Sequence, residues 1–551
     1  MKRKKLIYVW VAVAALSLNA CSDFLDRYPL EELSNGSFWK TPADAETYAG
    51  DLYRRALPGH AIDADINSDN AVHGIKWAAG NVSLGIYDPA DFSWNNIPSD
   101  KSKNDGEYGT IRACNLLLAK IDDIPGYDPA EKAVVVAEAR FLRAFIYFNL
   151  IRAYGDVPYL DTPRDLSQVK NIRRTPAAEI YAKIMDDFDD AISKLPVKSA
   201  LPANKYGRAT KGAVQAIKAR AALYYHQFET AADAANAVIT SGEYELFDRD
   251  HTGRYAELFW ESQDACNEAV LVHQYKYPNI THYTIGWECF PTLGWGGINP
   301  TQSLVDAFEC TDGAPIGTSP LYNEKDPFAN RDPRLEANVL HDGEVMYGVT
   351  IKVAPLKSSG NTGIAQHNDA TATGYYHQKF LDPNIDPQSS GWNMNKDWHV
   401  VRFAELLLTY AEAKNEITGL DATAFEAVNR VRRRVGLPDL QNTDPAKPTY
   451  CATQDDLRQR IRNEWRVEFA QENGFRQWDI RRWGIAKTVL NAPFLGLKYT
   501  LTGTGDSQTC TLYEGENIKL AGSKYEDHNV IYPIPQEEMD LHPDWKQNPK
   551  Y

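Results

Sequence analysis

RATKGAVQAIKARAALYYHQFETAADAANAVITSGEYEL, residues 208–246, is the stretch of the chain that decides the fold. Its apolar residues recur every three or four positions, the spacing that places side chains on one face of an α-helix. The pattern predicts two helices joined near Gln227, because the second helix has its own apolar face. That face carries Phe228, Ala231, Ala232, Ala235 and Val238. Alanines at a helix crossing let the two backbones approach closely, and Gly242 breaks the second helix.

Helical patterns of the same kind occur towards both ends of the chain. We predict further helices over residues 41–57, 108–122, 131–155, 175–196, 401–417, 423–438 and 455–474. The small residues at fixed offsets in 208–246 and 401–438 resemble tetratricopeptide units, although the 34-residue period is imperfect. The chain has 551 residues, more than the ~250–300 that one globular core supports. We therefore expect several domains or one elongated helical stack.

Two irregular regions interrupt the helical pattern, at about residues 60–105 and 247–400. Both are rich in Gly, Pro, Asn, Asp, Tyr and Trp, and EAVLVHQYKY (268–277) contains a candidate strand. Long irregular segments in a compact protein are usually functional or decorative rather than core. The sequence therefore predicts a helical scaffold that carries two aromatic, loop-rich insertions.

The first twenty residues have the pattern of an export signal. MKRKK is a basic start, LIYVWVAVAALSL is an apolar run, and LNAC ends the segment at Cys21. The run is too short and wrongly flanked for a membrane span. A cysteine after small or apolar residues resembles a bacterial lipobox, so we predict cleavage after residue 20 and lipidation of Cys21. The alternative is an ordinary signal peptide that ends near a cysteine.

Charge and motifs exclude several functional classes. The formal net charge is −15, so we expect no nucleic-acid partner, and we interpret RVRRRVG and DIRRWG as salt-bridged helix faces. DINSD (65–69) resembles the start of a calcium loop, but Asn70 and Lys76 occupy positions that need Gly and Glu. We expect no metal site, no cofactor and no catalytic residue. The six cysteines that follow Cys21 form no C-x-x-C pair; disulfides and buried thiols both remain open.

Aromatic side chains on the glycine-rich loops are the remaining signal. They are Trp77, Trp94, Tyr283, Trp287, Phe290, Trp295, Tyr375, Tyr376, Trp392 and Trp398, and TIGWECFPTLGWGG (284–297) concentrates three of them. For any single one of these residues, a place in the core is the favoured interpretation. As a set on loops, they favour platforms for the apolar faces of sugar rings. Stacking that removes ~80–100 Å² per ring from water contributes about 2 kcal/mol gross.

Long strings near both ends resemble the SusD/RagB family of outer-membrane lipoproteins. In the N-terminal half they are CSDFLDRYPLEELSNGSFWKTPADAE, YGTIRACNLLLAKI and EARFLRAFIYFNLIRAYGDVPYL. In the C-terminal half they are VRFAELLLTYAEAKNE, VNRVRRRVGLP, IRNEWRVEFAQENGFRQWDIRRWG and VIYPIPQEEMDLHPDWKQNPKY. These strings are mostly helical, so they identify the scaffold and indicate that GFRQWDIRRWG is structural.

The resemblance implies a mainly α, tetratricopeptide-like superhelix with irregular loops packed against it. It implies a lipoprotein anchored in the outer membrane at Cys21, facing outward, that captures oligosaccharides for a SusC-like TonB-dependent transporter without catalysis. The implied parts are a signal peptide (1–20), an N-terminal helical part (21–246), an irregular region (247–400) and a C-terminal helical part (401–551).

Family members place binding aromatics on the loops of these two irregular regions. By region, we predict Trp77, Trp94, Trp287 and Trp295 as stacking residues, with Asn81 and Asp69 as hydroxyl partners. Three alternatives remain open: a peptide cargo, a transporter lid that binds little alone, and an enzyme with a carboxylate pair or nucleophile in the aromatic cleft.

Overall fold

A computed structural model describes residues 38–59, 62–74, 81–94, 106–164 and 166–551 of the chain. The predictions for the signal peptide over residues 1–20, for Cys21 and for Trp77 lie outside these residues. The side chain of Asn81 lies outside them too, although its backbone is described.

The described residues are mainly α-helical. The helices are α1 (Pro42–Ala56), α2 (Asn81–Leu84), α3 (Gly106–Lys120), α4 (Pro129–Tyr154), α5 (Leu166–Val169), α6 (Ala177–Lys194), α7 (Lys211–Tyr224), α8 (Phe228–Ile239), α9 (Thr284–Glu288), α10 (Gln302–Ala307), α11 (Arg334–Asn338), α12 (Phe403–Thr418), α13 (Ala422–Arg434), α14 (Gln454–Glu468), α15 (Phe475–Arg482), α16 (Ala486–Leu490) and α17 (Gln536–Leu541). All the long helices expected from periodicity are present, within a few residues of their predicted ends.

Neighbouring long helices pack against each other in chain order. Helix α4 lies between α3 and α6, α6 contacts α7, and α7 pairs with α8. Helix α12 then contacts both α13 and α14. Pairs of helices that each bury one face on the next pair form a tetratricopeptide-like stack. The predicted fold class, a mainly α superhelix with an irregular insertion, is confirmed.

Short polar signals set the ends of these helices. Helix α1 begins with a capping box, in which the Thr41 hydroxyl accepts from the Asp44 backbone and Asp44 accepts from the Thr41 backbone. The Asp128 carboxylate caps the first backbone N–H groups of α4, and Gly155 ends that helix with φ 71°.

The irregular region between α8 and α12 is an insertion into a continuous stack. Helices α8 and α12 pack directly on each other, although residues 240–402 separate them in sequence. Strand β2 (Ala269–His273), near the start of this region, pairs antiparallel with strand β8 (Trp398–Arg402), which ends it. The chain therefore leaves and re-enters the helical stack at one strand pair.

The remaining strands lie mostly within the insertion. They are β1 (Ala71–His73), β3 (Ile298–Pro300), β4 (Val339–Leu340), β5 (Val345–Met346), β6 (Val349–Thr350), β7 (Tyr376–His377), β9 (Phe494–Thr502), β10 (Thr509–Leu512) and β11 (Glu516–Leu520). Strands β10, β9 and β11 form an antiparallel sheet in that order. This sheet lies in the part of the chain that we expected to be helical, residues 401–551.

Two large hydrophobic cores hold the scaffold and the insertion. The larger core runs through the helical stack and contains the apolar faces of α3, α4, α7, α8 and α12. The second core belongs to the insertion and is built around residues such as Phe290, Leu335 and Tyr376. Val467 and Ala470, at the end of α14, also belong to the second core and so join it to the scaffold.

A buried network of ion pairs connects the same two parts of the molecule. Its cations are Lys379, Arg334, Arg402, Arg432 and Arg434, and its anions are Glu268, Glu309, Asp332, Glu464, Glu468 and Glu472. Each of these side chains is at most 5% exposed. The run RVRRRVG, which we interpreted as a salt-bridged helix face, lies only partly at the surface. Arg433 forms its ion pairs at the surface, whereas Arg432 and Arg434 point inward.

Glu468 is the centre of this network. It lies 2.9 Å from Arg334 and 2.5 Å from Arg402, and it also pairs with Arg434. Burial alone would raise the pKa of this carboxyl, but the three guanidinium groups outweigh burial and hold it well below its usual range.

Among the helices of the described residues, none is both long and apolar enough to cross a membrane.

We predict that Glu468→Gln lowers the free energy of unfolding by about 3–5 kcal/mol near pH 7, because it leaves buried guanidinium groups uncompensated. A carboxyl with a lowered folded pKa stabilises the fold above its unfolded pKa of about 4.3, and this contribution decreases as the pH falls below that value. Denaturant unfolding of the wild type and of Glu468→Gln should therefore show that the difference between their free energies of unfolding becomes smaller in acid. Glu426→Gln, which removes an exposed partner of Arg433, is the matched control and should cost at most about 1 kcal/mol. Equal losses in the two variants would contradict the prediction.

Candidate functional site

Residues 284–297, which carry TIGWECFPTLGWGG, fold back on themselves at the surface of the insertion. The segment begins with the short helix α9, after which the chain reverses direction. Three backbone hydrogen bonds close the reversal: Trp295 donates to Gly286 (2.9 Å), Gly296 to Cys289 (2.7 Å) and Gly297 to Trp287 (2.8 Å). The inner side of the segment, including Ile285, Cys289 and Phe290, is fully buried in the second core.

Two of the glycines are required because indole rings lie directly on the backbone. A Cβ at Gly286 would lie 2.9 Å from Cβ and Cγ of Trp392. A Cβ at Gly297 would lie 2.8 Å from Cε2 and Nε1 of Trp287 and 2.9 Å from its carbonyl oxygen. Close ring–backbone packing thus explains two of the four glycines of this loop.

Four aromatic side chains, Tyr283, Trp287, Trp295 and Trp392, form a surface cluster that we call the aromatic patch. Trp295 is its centre, with ring centroids 5.6 Å from Tyr283, 6.1 Å from Trp287 and 5.3 Å from Trp392. Tyr283 is 41% exposed, and the three indoles are half-buried. The rings of Tyr283 and Trp295 are the closest to parallel, at 33°, and Trp392 is tilted by 46° from Trp295.

The patch is held rigidly by the backbone beneath it. The indole N–H of Trp392 donates to the carbonyl oxygen of Leu293 (2.8 Å), which ties the two loops together. Burial lowers the pKa of His282 to about 4, so its imidazole is neutral at physiological pH. Its Nε2 donates to the carbonyl oxygen of Lys396 (3.0 Å), and its Nδ1 accepts from the hydroxyl of Thr284, the first residue of α9.

Polar residues lie near two parts of the patch. The backbone oxygen of Asp369 lies 2.8 Å from the position of a Cβ at Gly296, so the loop that carries His367, Asn368 and Asp369 packs against the residue that follows Trp295. Asn393 follows Trp392, and its side-chain oxygen accepts from the Thr281 hydroxyl (2.9 Å). These amide, carboxylate and hydroxyl groups are suited to hydrogen bonds with a polyhydroxylated ligand.

Most of the other aromatic candidates lie in the interior. Phe290, Tyr375, Tyr376 and Trp398 are at most 1% exposed. Trp94 is 9% exposed, and its ring packs edge-on against Tyr108 (5.5 Å) and Tyr154 (4.9 Å) of α3 and α4. Packing on these two helices places Trp94 in the scaffold core, away from the aromatic patch.

Asp69 is also buried, at 5% exposure, with its carboxylate already paired. Arg476 donates to both of its oxygens (2.7 and 2.9 Å), and Arg466 lies 3.0 Å away. Burial would raise the pKa of this carboxyl, but the two arginines outweigh burial and hold it below its usual range. The DINSD stretch is therefore the end of a 3₁₀ helix (Ile62–Asn67) and the turn that follows it, and it joins the first irregular region to α14 and α15.

The first irregular region reaches the aromatic patch through a strand pair. Strand β1 pairs antiparallel with β3, and the backbone N–H of Gly74 donates to the carbonyl oxygen of Gly297 (3.0 Å). This contact fixes residue 74 beside the end of the patch loop. Trp77, the candidate three positions later, stays a prediction, as does Asn81.

Of the predicted stacking residues, the structure brings Trp287 and Trp295 together at the surface. Tyr283 and Trp392 are the residues of the patch that sequence reasoning recognised only as members of a loop region. A signal for Trp392 existed in QSSGWN, a turn-forming stretch around a single tryptophan. All six cysteines of the described residues are free thiols, and no group of three or more metal-ligating side chains occurs within those residues.

The chain matches sequence models of known protein families. The sequence model of the SusD family matches residues 270–551, just over half of the chain. A second model, described as starch-binding and associating with the outer membrane, matches residues 23–223. A SusD-like protein of Formosa agariphila is 23% identical over 510 residues, which cover 88% of this chain and 90% of that protein.

Two solved structures from Bacteroides fragilis have similar folds. One is a SusD-like protein with a TM-score of 0.78 and 27% identity, covering 95% of this chain and all of that one. The other is a SusD-like carbohydrate-binding protein with a TM-score of 0.78 and 26% identity, covering 92% of this chain and all of that one.

We predict that Gly297→Ala displaces the indole of Trp287 and lowers the free energy of unfolding by about 1–3 kcal/mol, because the new methyl group also meets the carbonyl oxygen of Trp287. Gly317→Ala is the matched control, since a Cβ there would meet nothing within 4 Å and should change stability by under about 0.5 kcal/mol. Calorimetric melting of both variants measures the difference. A melting temperature for Gly297→Ala equal to that of the control would show that the close packing is absent.

Proposed function

Because the chain belongs to the SusD family, we propose that it is a cell-surface lipoprotein that binds oligosaccharides and delivers them to a SusC-like TonB-dependent transporter. The observation that carries the binding part is the aromatic patch, in which three rings surround Trp295 at the surface of the insertion. The similar Bacteroides fragilis protein described as carbohydrate-binding supports the same class of ligand.

The chemistry of the patch matches that of a sugar chain. A pyranose has an apolar C–H face, which gives up no hydrogen bonds when it leaves water. A flat indole or phenol ring covers this face, and a ring that is already fixed loses no side-chain freedom in doing so. The hydroxyl groups at the sugar's edge need hydrogen-bond partners, which the polar groups beside Trp295 and Trp392 can supply. Because the rings are tilted against one another, a sugar chain that changes direction from one sugar unit to the next can contact more than one ring.

The energetics indicate weak binding. Two or three stacked rings contribute roughly 4–6 kcal/mol before the cost of association. The expected dissociation constants are about micromolar to millimolar. Such affinities suit capture at the cell surface followed by release to a transporter, and no chemical change of the ligand is required. We therefore propose binding without catalysis, so the bound oligosaccharide should be recovered intact.

We predict that the mature protein with Cys21→Ser binds one class of plant, host or microbial oligosaccharide saturably in isothermal titration calorimetry. Trp295→Ala should weaken this binding about 30-fold, because one stacked ring contributes about 2 kcal/mol. Trp295→Phe, which keeps an aromatic face, should weaken it much less. Tyr283→Ala should also weaken binding, since Tyr283 is the most exposed ring of the patch.

Tyr450→Ala is the matched control for Tyr283→Ala. Tyr450 is half-buried in the polar loop between α13 and α14, and no ring contact with another described aromatic residue accompanies it. Its loss should leave the affinity unchanged. If the folded protein binds nothing across the panel, the glycan part of the proposal is wrong, and peptide fragments become the next ligands to titrate.

We predict that Cys21→Ser, made in the native bacterium, moves the protein from the outer-membrane fraction to the soluble fraction, because the acyl chains supply the proposed anchor. Protease added to intact cells should remove the wild-type protein if it faces outward. Wild-type protein extracted in mild detergent should bring a TonB-dependent transporter with it. A Cys21→Ser protein that stays with the membrane would contradict the anchor, and isolation of the wild type alone would contradict the partner.

A further inference from the structure

We propose that the glycan site extends beyond the aromatic patch to a second stacking position at Tyr277, so that the protein favours oligosaccharides of several sugar units. This inference rests on the proposed function and specifies the length of its ligand. Tyr277 is 63% exposed, which is more than any ring of the patch. An exposed tyrosine ring is a ready stacking surface when its backbone is fixed.

The backbone that carries Tyr277 is fixed to the same loops as the patch. Its N–H donates to the side-chain oxygen of Asn395 (2.6 Å), three residues after Trp392. Lys276 and Ile280 exchange a pair of backbone hydrogen bonds (2.6 and 3.0 Å), which closes a tight turn with Tyr277 near its tip. His282 and Met394 exchange a second pair (3.2 and 3.0 Å), immediately before Tyr283. The turn and the patch therefore belong to one rigid unit.

The distance between the two positions is bounded by this geometry. Tyr277 makes no ring contact with the aromatic residues that the structure describes, so it lies beyond direct stacking reach of the patch. Tyr283 lies six positions after Tyr277, and a fully extended chain spans at most ~3.6 Å per residue, so their Cα atoms lie within about 22 Å. A sugar that covers the patch leaves Tyr277 free, whereas a longer chain can reach both.

The segment between the two positions exposes both apolar and polar side chains. Ile280, on the far side of the turn, is 39% exposed, and Tyr283 follows at 41%. Asn279, at the tip of the turn, is also exposed and offers an amide to sugar hydroxyl groups. A segment that keeps Tyr277, Ile280 and Tyr283 in water over a short length of chain offers a surface suited to an elongated ligand.

The test is a chain-length series of the glycan that the mature protein binds, from disaccharide to octasaccharide, titrated by calorimetry. Affinity should rise with length and then level off. Tyr277→Ala should weaken the longest ligands about tenfold or more and leave the shortest within about twofold, which removes the length dependence. Tyr283→Ala should weaken every length. Tyr277→Phe, which keeps the ring face, should retain the wild-type length dependence.

The outcomes separate this inference from the proposed function. Binding that Tyr283→Ala weakens but Tyr277→Ala leaves unchanged at every length would overturn the second position and leave the function intact. Equal weakening by Tyr277→Ala at all lengths would also overturn it, because Tyr277 would then belong to the patch. No binding of any length by the folded wild type would overturn both. Melting temperatures of the variants show that each remains folded.

Discussion

The buried ion pairs around Glu468 are the constraint on which the rest of the structure depends. Arg402 and Glu268 flank the strand pair at which the insertion leaves the helical stack, and both belong to this network. Arg334 and Lys379 enter it from inside the insertion. Charges removed from water must meet their partners in good geometry, because an uncompensated buried charge costs several kcal/mol. The network therefore disfavours any placement of the insertion on α13 and α14 that would separate these pairs.

The aromatic patch depends on this placement indirectly. Its loops rest on the second core, and that core is joined to α14 through Val467 and Ala470. Within the patch, close packing of indoles on glycine and backbone hydrogen bonds hold the rings before any ligand arrives. A ring that is already fixed loses little conformational freedom on binding, so more of its contact with a ligand contributes to affinity.

The scaffold could be predicted from sequence because helical periodicity is a local property of the chain. Residues 208–246 contain everything needed to recognise α7 and α8. The pairing of Arg432 with Glu309 and of Arg434 with Glu268 could not be predicted, because each glutamate lies more than a hundred residues away in sequence and nothing local marks it. The sheet of β9, β10 and β11 was missed although Gly496 and the threonines of β9 favour a strand over a helix, because we assigned this half of the chain from its helical strings.

Individual residues of the candidate site were harder to predict than the region that contains them. Composition identified the 284–297 loop. Trp94 and Trp287 look alike in sequence, and they differ only in the structure, where Trp94 packs on α3 and α4. Asp69 likewise offers a carboxylate in sequence that two distant arginines occupy in the fold. The pairing of β2 with β8 has a consequence for evolution. Because the insertion begins and ends at one point, and loop-closure entropy rises only slowly with loop length, its loops can be lengthened, shortened or exchanged while the helices stay unchanged. Such changes can alter the ligand surface while the buried charges at the base of the insertion keep their partners.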